Sequence, residues 1–142
     1  IIWWQADGVA FAIICYCYGV SWLLLIWASY DAGAEVQSGA LGWMSLAQNI
    51  KPVFPDMPTV GLFSLIRQPI YVSFALTTWF VPVWTPDQLI LAVALTAYCL
   101  LAPRLKERRF AQRYGARFED YKREVPYVIP RVLRSQNSKD VK

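Results

Sequence analysis

The sequence predicts an all-α integral membrane protein with about three transmembrane helices, one span plus a tight helical hairpin, followed by a basic amphipathic cytoplasmic helix. Three observations predict it. Hydrophobic residues make up 56% of the 142 residues and charged residues only 17%, against about 45–50% and about 25% in soluble domains. Residues 8–30, 68–86 and 88–103 carry no charge. The charge is also polarised: residues 104–142 hold twelve of the fourteen Lys/Arg and five acids, net +7, while residues 1–103 sum to −3. Such apolar content excludes intrinsic disorder. A small soluble globule of this composition would have a largely apolar surface.

The elements follow in order. Gly8 to Tyr30 is 23 residues, enough to cross a hydrocarbon core of about 30 Å at about 1.5 Å per residue. Trp3, Trp4, Trp27 and Tyr30 lie toward its ends, as interfacial aromatics do. Residues 31–66 are punctuated by Gly33, Gly39, Gly42, Pro52, Pro55 and Pro58. Within them Ala40 to Ala47 is too short to span and reads as an interfacial or re-entrant helix. Pro69 suits a first helical turn, and Pro82 and Pro86 bracket a turn before the run from Gln88 to Pro103. The two runs read as an antiparallel hairpin. Residues 104–125 read as a separate helix outside the membrane core, with Phe110, Tyr114, Phe118 and Tyr121 as one aromatic stripe. Residues 1–134 are expected to form a single membrane domain and 135–142 a flexible polar tail. The chain opens Ile1-Ile2 without Met, so it is expected not to be the whole translated product, and an upstream segment could hold another span.

With no His, His-ligated metal, a Ser-His-Asp triad and histidine general-base chemistry are excluded. Cys15, Cys17 and Cys99 lie in apolar runs at no zinc spacing and read as packing residues; no metal site is expected. A basic C-terminal segment can mark nucleic-acid binding. Directly after membrane spans it reads instead as positive-inside bias, with attraction to anionic membrane lipid and no nucleic-acid partner. Arg67 is the only charged residue between Thr59 and Pro86 and stands at a helix end, so no buried charge marks an ion path.

The hairpin has a consequence. Arg67 precedes its first helix and Glu107 follows its second. Antiparallel helices of similar length put both on one side of the membrane, and the basic segment places that side in the cytoplasm, expected to be that of a bacterial inner membrane. Arg67, Glu107 and the aromatic stripe can then converge on one site.

Two segments carry the chemistry. One is Arg67-Gln68-Pro69-Ile70-Tyr71; the other is Lys106-Glu107-Arg108-Arg109-Phe110, then Tyr114-Gly115, Phe118, Tyr121, Val125-Pro126 and Pro130. Together, over 61–134, they resemble the isoprenylcysteine carboxyl methyltransferase and phospholipid methyltransferase superfamily, which shows Arg-His-Pro-x-Tyr before a hairpin and Glu-Glu after it. Trp79, Pro82, Thr85-Pro86, Leu89, Ala92, Thr96 and Tyr98 are most similar to its methanethiol S-methyltransferase-like branch. The resemblance implies S-adenosylmethionine bound at the cytoplasmic face and a small or lipophilic acceptor: a thiol, carboxylate or lipid amine. It implies Arg67 and Tyr71 as catalytic residues, and Arg67, Gln68, Pro69, Tyr71, Glu107, Tyr114 and Tyr121 as cofactor-binding residues. Arg67 would pair with the cofactor carboxylate in a fork geometry. Glu107 would take its amino group or ribose hydroxyls, and the tyrosines would offer aromatic faces to a sulfonium cation. Transfer by in-line displacement rests on alignment and desolvation and needs no metal.

Two positions depart from the motif: Gln68 stands at the His and Lys106 at the first Glu. They leave a second reading open, a non-catalytic methyltransferase-like subunit packed in a larger membrane protein complex. The residues also have plainer readings. Arg67 can be a snorkelling anchor, Glu107 can pair with Arg104 or Arg108, and the stripe can be interfacial packing.

Overall fold

A computed structural model describes residues 1–130; the expected tail at 135–142 lies outside them. The first span is α1, Gly8–Asp31, 24 residues and about 36 Å long. It runs without a charge until Asp31 and stops at Gly33, which takes the left-handed φ of 85°. Two short helices follow, α2 (Ala34–Gln37) and α3 (Ala40–Ala47). An irregular stretch then leads to a 3-10 turn at Gly61–Ser64. That turn is pinned to the end of α1: Asp31 Oδ2 accepts from the Leu62 amide at 3.0 Å. A Cβ at position 61 would collide with the Asp31 carboxylate, and Gly61 also has a φ of 61°, so glycine is required there.

The hairpin is present, but its arms are unequal. Helix α4, Pro69–Trp79, has 11 residues with Pro69 in its first turn. At about 16 Å it is too short to cross a bilayer alone. Helix α5, Pro86–Tyr114, has 29 residues. Thr85 caps it by accepting from the Gln88 amide at 3.2 Å. Among the described residues, α1 and α5 are the two helices long and apolar enough to span, where the sequence predicted about three. After Trp79 the 68–86 run is no longer helical; it bends at Pro82 and is extended at Val83–Thr85. Its strand β2 (Val83–Trp84) pairs antiparallel with β1 (Trp4–Gln5), Trp4 opposite Trp84. The protein is therefore not purely helical, and its N-terminal stretch is tied to the hairpin tip.

The helix expected at 104–125 is also divided differently. Residues 104–114 are the continuation of α5, which passes through the buried Pro103. Neighbouring helices make an interior proline tolerable in membrane helices. The break comes at Gly115, with φ 52° and ψ −123°, a conformation that favours glycine. Helix α6, Ala116–Glu124, then folds back and buries Phe118.

Helix α4 sits between α1 and α5. The contact surfaces are small: Ala28, Ser73, Thr77, Thr78 and Ala92 are buried, as in helix packing without a hydrophobic drive. Ser73 and Thr77 hydroxyls donate to their own helix at Pro69 O and Phe74 O, so they need no partner across the interface. Tyr16, Trp22, Leu23, Ile26 and Trp27 of α1 are exposed, a surface suited to lipid.

Candidate functional site

The base of the hairpin gathers the polar residues. Arg67 ends the segment after the 3-10 turn, and its amide donates to Pro126 O at 2.9 Å. Its guanidinium lies 5.4 Å from the Tyr127 ring centroid and donates to Lys122 O at 3.5 Å. Arg67 Nε is 3.3 Å from Glu107 Oε1. That is an ion-pair distance, but the N–H is not aligned for a hydrogen bond and Nε has no other partner. Gln68 Nε2 donates to the same Glu107 oxygen at 3.0 Å. The acceptor is a carboxylate, so the amide orientation is settled: nitrogen faces Glu107 and Oε1 faces away. Gln68 is 4% exposed, and its Oε1 has no partner. A buried carbonyl left unpaired costs roughly 1–3 kcal/mol.

Helix α6 closes this cluster. The Tyr121 hydroxyl donates to Phe63 O at 2.6 Å. Burial pushes its pKa up to about 12, opposed by Arg67 and reinforced by Glu107, so the phenol stays a donor. On the outer side, Arg117 Nη1 and Asp56 Oδ2 form an exposed ion pair at 2.7 Å. The Lys106 ammonium lies 5.3 Å from the Phe110 centroid and 5.9 Å from that of Phe63, both cation–π distances.

Arg67, Gln68, Lys106, Glu107, Phe118 and Tyr121 border one cavity of about 10 Å³, about the room of one water. Tyr121 also borders an open cleft of about 510 Å³ between Met57–Ser64 and α6, with Arg117, Asp120 and Glu124. Farther up the hairpin, Tyr71, Trp79, Thr96, Cys99 and Val128 line an apolar cavity of about 210 Å³.

The structure thus brings Arg67, Gln68, Glu107 and Tyr121 together, with Pro69 buried directly behind Gln68 at the start of α4. Tyr71 belongs to the apolar cavity. Tyr114 packs edge-on against Phe110 at 5.5 Å and beneath Arg113; it does not border the polar cavity. Glu107 pairs with Arg67 rather than Arg104 or Arg108. Tyr127, which stacks on Arg67, and Phe63 were not legible as site residues. The only signal for Tyr127 is its place directly after Val125-Pro126.

No family model matches the chain, and no solved structure does. Among curated proteins it is 27% identical over 139 residues to methanethiol S-methyltransferase 2 of Bradyrhizobium diazoefficiens, covering 98% of this chain and 54% of that protein. It is 24% identical over 138 residues to the methanethiol S-methyltransferase of Pseudomonas deceptionensis, 96% and 53% of the two chains. It is 33% identical over 90 residues to nurim of Xenopus laevis, 61% and 32% of the two. The chain spans about half the length of the methanethiol S-methyltransferases that it matches along nearly all of its own length. Together with the two apolar helices, these similarities support a membrane protein related to methyltransferases.

Proposed function

We propose that this chain carries the cofactor segment of an S-adenosylmethionine-dependent membrane methyltransferase acting on a small or lipophilic acceptor at the cytoplasmic face. The observation that carries it is the meeting of the two separated motif segments, Arg67-Gln68 against Glu107, in a chain whose relatives are named methyltransferases. The donor set suits such a cofactor in chemistry: a buried acceptor without a donor, two cations and several ring faces. As closed, the polar cavity admits only about a water, so binding requires the Tyr121 side chain to withdraw and join it to the 510 Å³ cleft.

S-adenosylmethionine supplies an electrophilic methyl carried on a sulfonium. The chain's own residues orient and desolvate. The Arg67–Glu107 pair and Gln68 form the polar floor, and Tyr121 closes it. The apolar cavity at Tyr71 and Cys99 is larger than the roughly 150 Å³ that holds a benzene, and it suits the apolar body of an acceptor, with a thiol preferred. Three crossings, a bacterial inner membrane and a cytoplasmic basic segment complete the reading, with α4 and the non-helical stretch to Thr85 together making the middle crossing. The bases of 104–123 support that orientation.

Calorimetric titration of the detergent-purified protein with S-adenosylhomocysteine tests it. Binding at micromolar strength, about −8 kcal/mol, is expected, and Arg67→Ala and Glu107→Ala are expected to abolish it. Absence of heat from a folded, monodisperse sample overturns the proposal. It would favour the non-catalytic subunit of a larger complex, which the self-paired, closed cavity also suits.

A further inference from the structure

The two residues that depart from the family motif both keep bonding capacity that the fold does not use. Arg67 and Glu107 neutralise each other at 3.3 Å, and the Gln68 amide nitrogen is used on Glu107 at 3.0 Å. Beside the Arg67 Nε–H, which faces Glu107 without alignment, what remains is Gln68 Oε1, an acceptor with no donor on a side chain only 4% exposed. The Lys106 ammonium also remains. Among the described residues no carboxylate lies within ion-pair distance of it, and it is held instead over the Phe63 and Phe110 rings at 5.9 and 5.3 Å. Both residues border the same small cavity.

We infer that Gln68 and Lys106 form the binding pair for an α-amino acid group, Lys106 taking its carboxylate and Gln68 Oε1 its ammonium. This rests on the methyl-donor reading, since the donor carries such a group. It moves recognition of that group away from Arg67 and Glu107. The charges decide the ligand class. A plain anion would bring its oxygens against Gln68 Oε1, which can only accept. A plain cation would face both Arg67 and Lys106. A zwitterion satisfies the acceptor and the free ammonium together. A ring-held ammonium is ready for this role, because cation–π contact steadies the charge without using its N–H donors. The acidic residue of the family motif at position 106 would instead place a second carboxylate beside Glu107.

The test compares three ligands by calorimetry on the full chain in detergent. These are S-adenosylhomocysteine, its decarboxylated analogue and 5′-methylthioadenosine, which lacks the whole amino-acid end. S-adenosylhomocysteine is expected to bind at least tenfold more tightly than either of the others. Lys106→Met and Gln68→Leu should erase that preference, so that each folded variant binds S-adenosylhomocysteine no more tightly than 5′-methylthioadenosine, and Lys106→Arg should retain the preference. Equal affinity for all three ligands in the unaltered protein would overturn the inference and reduce the cavity to a water site. That ligand-side comparison stands even where a variant does not fold. A full preference persisting in folded Lys106→Met and Gln68→Leu proteins would overturn it too. If no nucleoside binds the unaltered protein, the methyl-donor reading falls and the inference with it.

Discussion

The two ends of the contact between α4 and α5 are built from the same helices and differ in how polar groups are settled. At the tip, Trp79 Nε1 donates to Thr96 Oγ1 at 2.8 Å, and Thr96 donates on to Ala92 O at 2.7 Å. Gln88 Nε2 reaches Thr78 O at 2.9 Å. Each of these donors finds an acceptor within the hairpin. At the base, Gln68 Oε1 and Arg67 Nε are buried without a hydrogen-bond partner. Buried polar groups are normally paired, so the tip is settled within the fold, and the base keeps the unused capacity on which the proposed ligand site rests.

The sharpest way to break this comparison is at Glu107. Its Oε1 meets both Arg67 and Gln68. Glu107→Ala leaves a guanidinium on a side chain only 10% exposed and a buried amide without their acceptor, and loss of one partner of a buried pair costs about 3–5 kcal/mol. A fall of that size in detergent denaturation is expected. A loss under about 1 kcal/mol would mean that the base is as solvent-screened as an ordinary surface pair.

Tyr121 comes second. Tyr121→Phe removes the bond to Phe63 O, worth about 1 kcal/mol. The pH dependence has a definite sign. Folding raises this phenol from 10.0 to about 12, so its contribution is full below pH 10 and is lost as the pH rises toward 12. Melting temperatures across that interval should fall more steeply in the unaltered protein than in Tyr121→Phe. Parallel curves would show that the phenol is not sequestered.

Much of the base was legible because chain direction alone carries it. A charge before the first helix and one after the second must meet if the hairpin closes, and Arg67 and Glu107 do. The meeting holds although the arms are unequal. Trp79 lies beside Thr96 and Gln68 beside Glu107, and the non-helical stretch to Thr85 leads back into α5. What was not legible depended on tertiary context. Pro103 reads as a stop, yet packing carries α5 through it. The pairing of Trp4 with Trp84 involves two-residue strands with no periodicity to betray them. Arg67 read alone would reach for a ligand carboxylate, and only the structure shows its charge already met by Glu107.

At the tip, Thr96→Val leaves Trp79 Nε1 without its acceptor. Trp79 is exposed, so water or lipid headgroups can substitute, and a loss of about 0.5–1 kcal/mol is expected. Cofactor binding should not change. Weakened S-adenosylhomocysteine binding in this variant would show that the two ends are coupled and that the division between folding and ligand binding is wrong.

The smallest effect belongs to the outer contact of α6. Arg117 and Asp56 meet at 2.7 Å with their side chains 57% and 60% exposed. The Asp56 carboxyl is held below its usual range first by the Met57 amide and only then by Arg117. Arg117→Ala therefore leaves Asp56 still depressed, and water takes over a contact that salt already screens. No measurable shift in melting temperature is expected at either low or high salt. Arg117 lines the cleft that Tyr121 borders, so under the proposed opening its removal is expected to act on ligand entry rather than on folding. Faster S-adenosylhomocysteine association with an unchanged melting temperature would place the resistance to opening in this outer contact. A melting temperature lowered as far as in Glu107→Ala would instead make α6 part of the fold's support and end its separation from the polar floor.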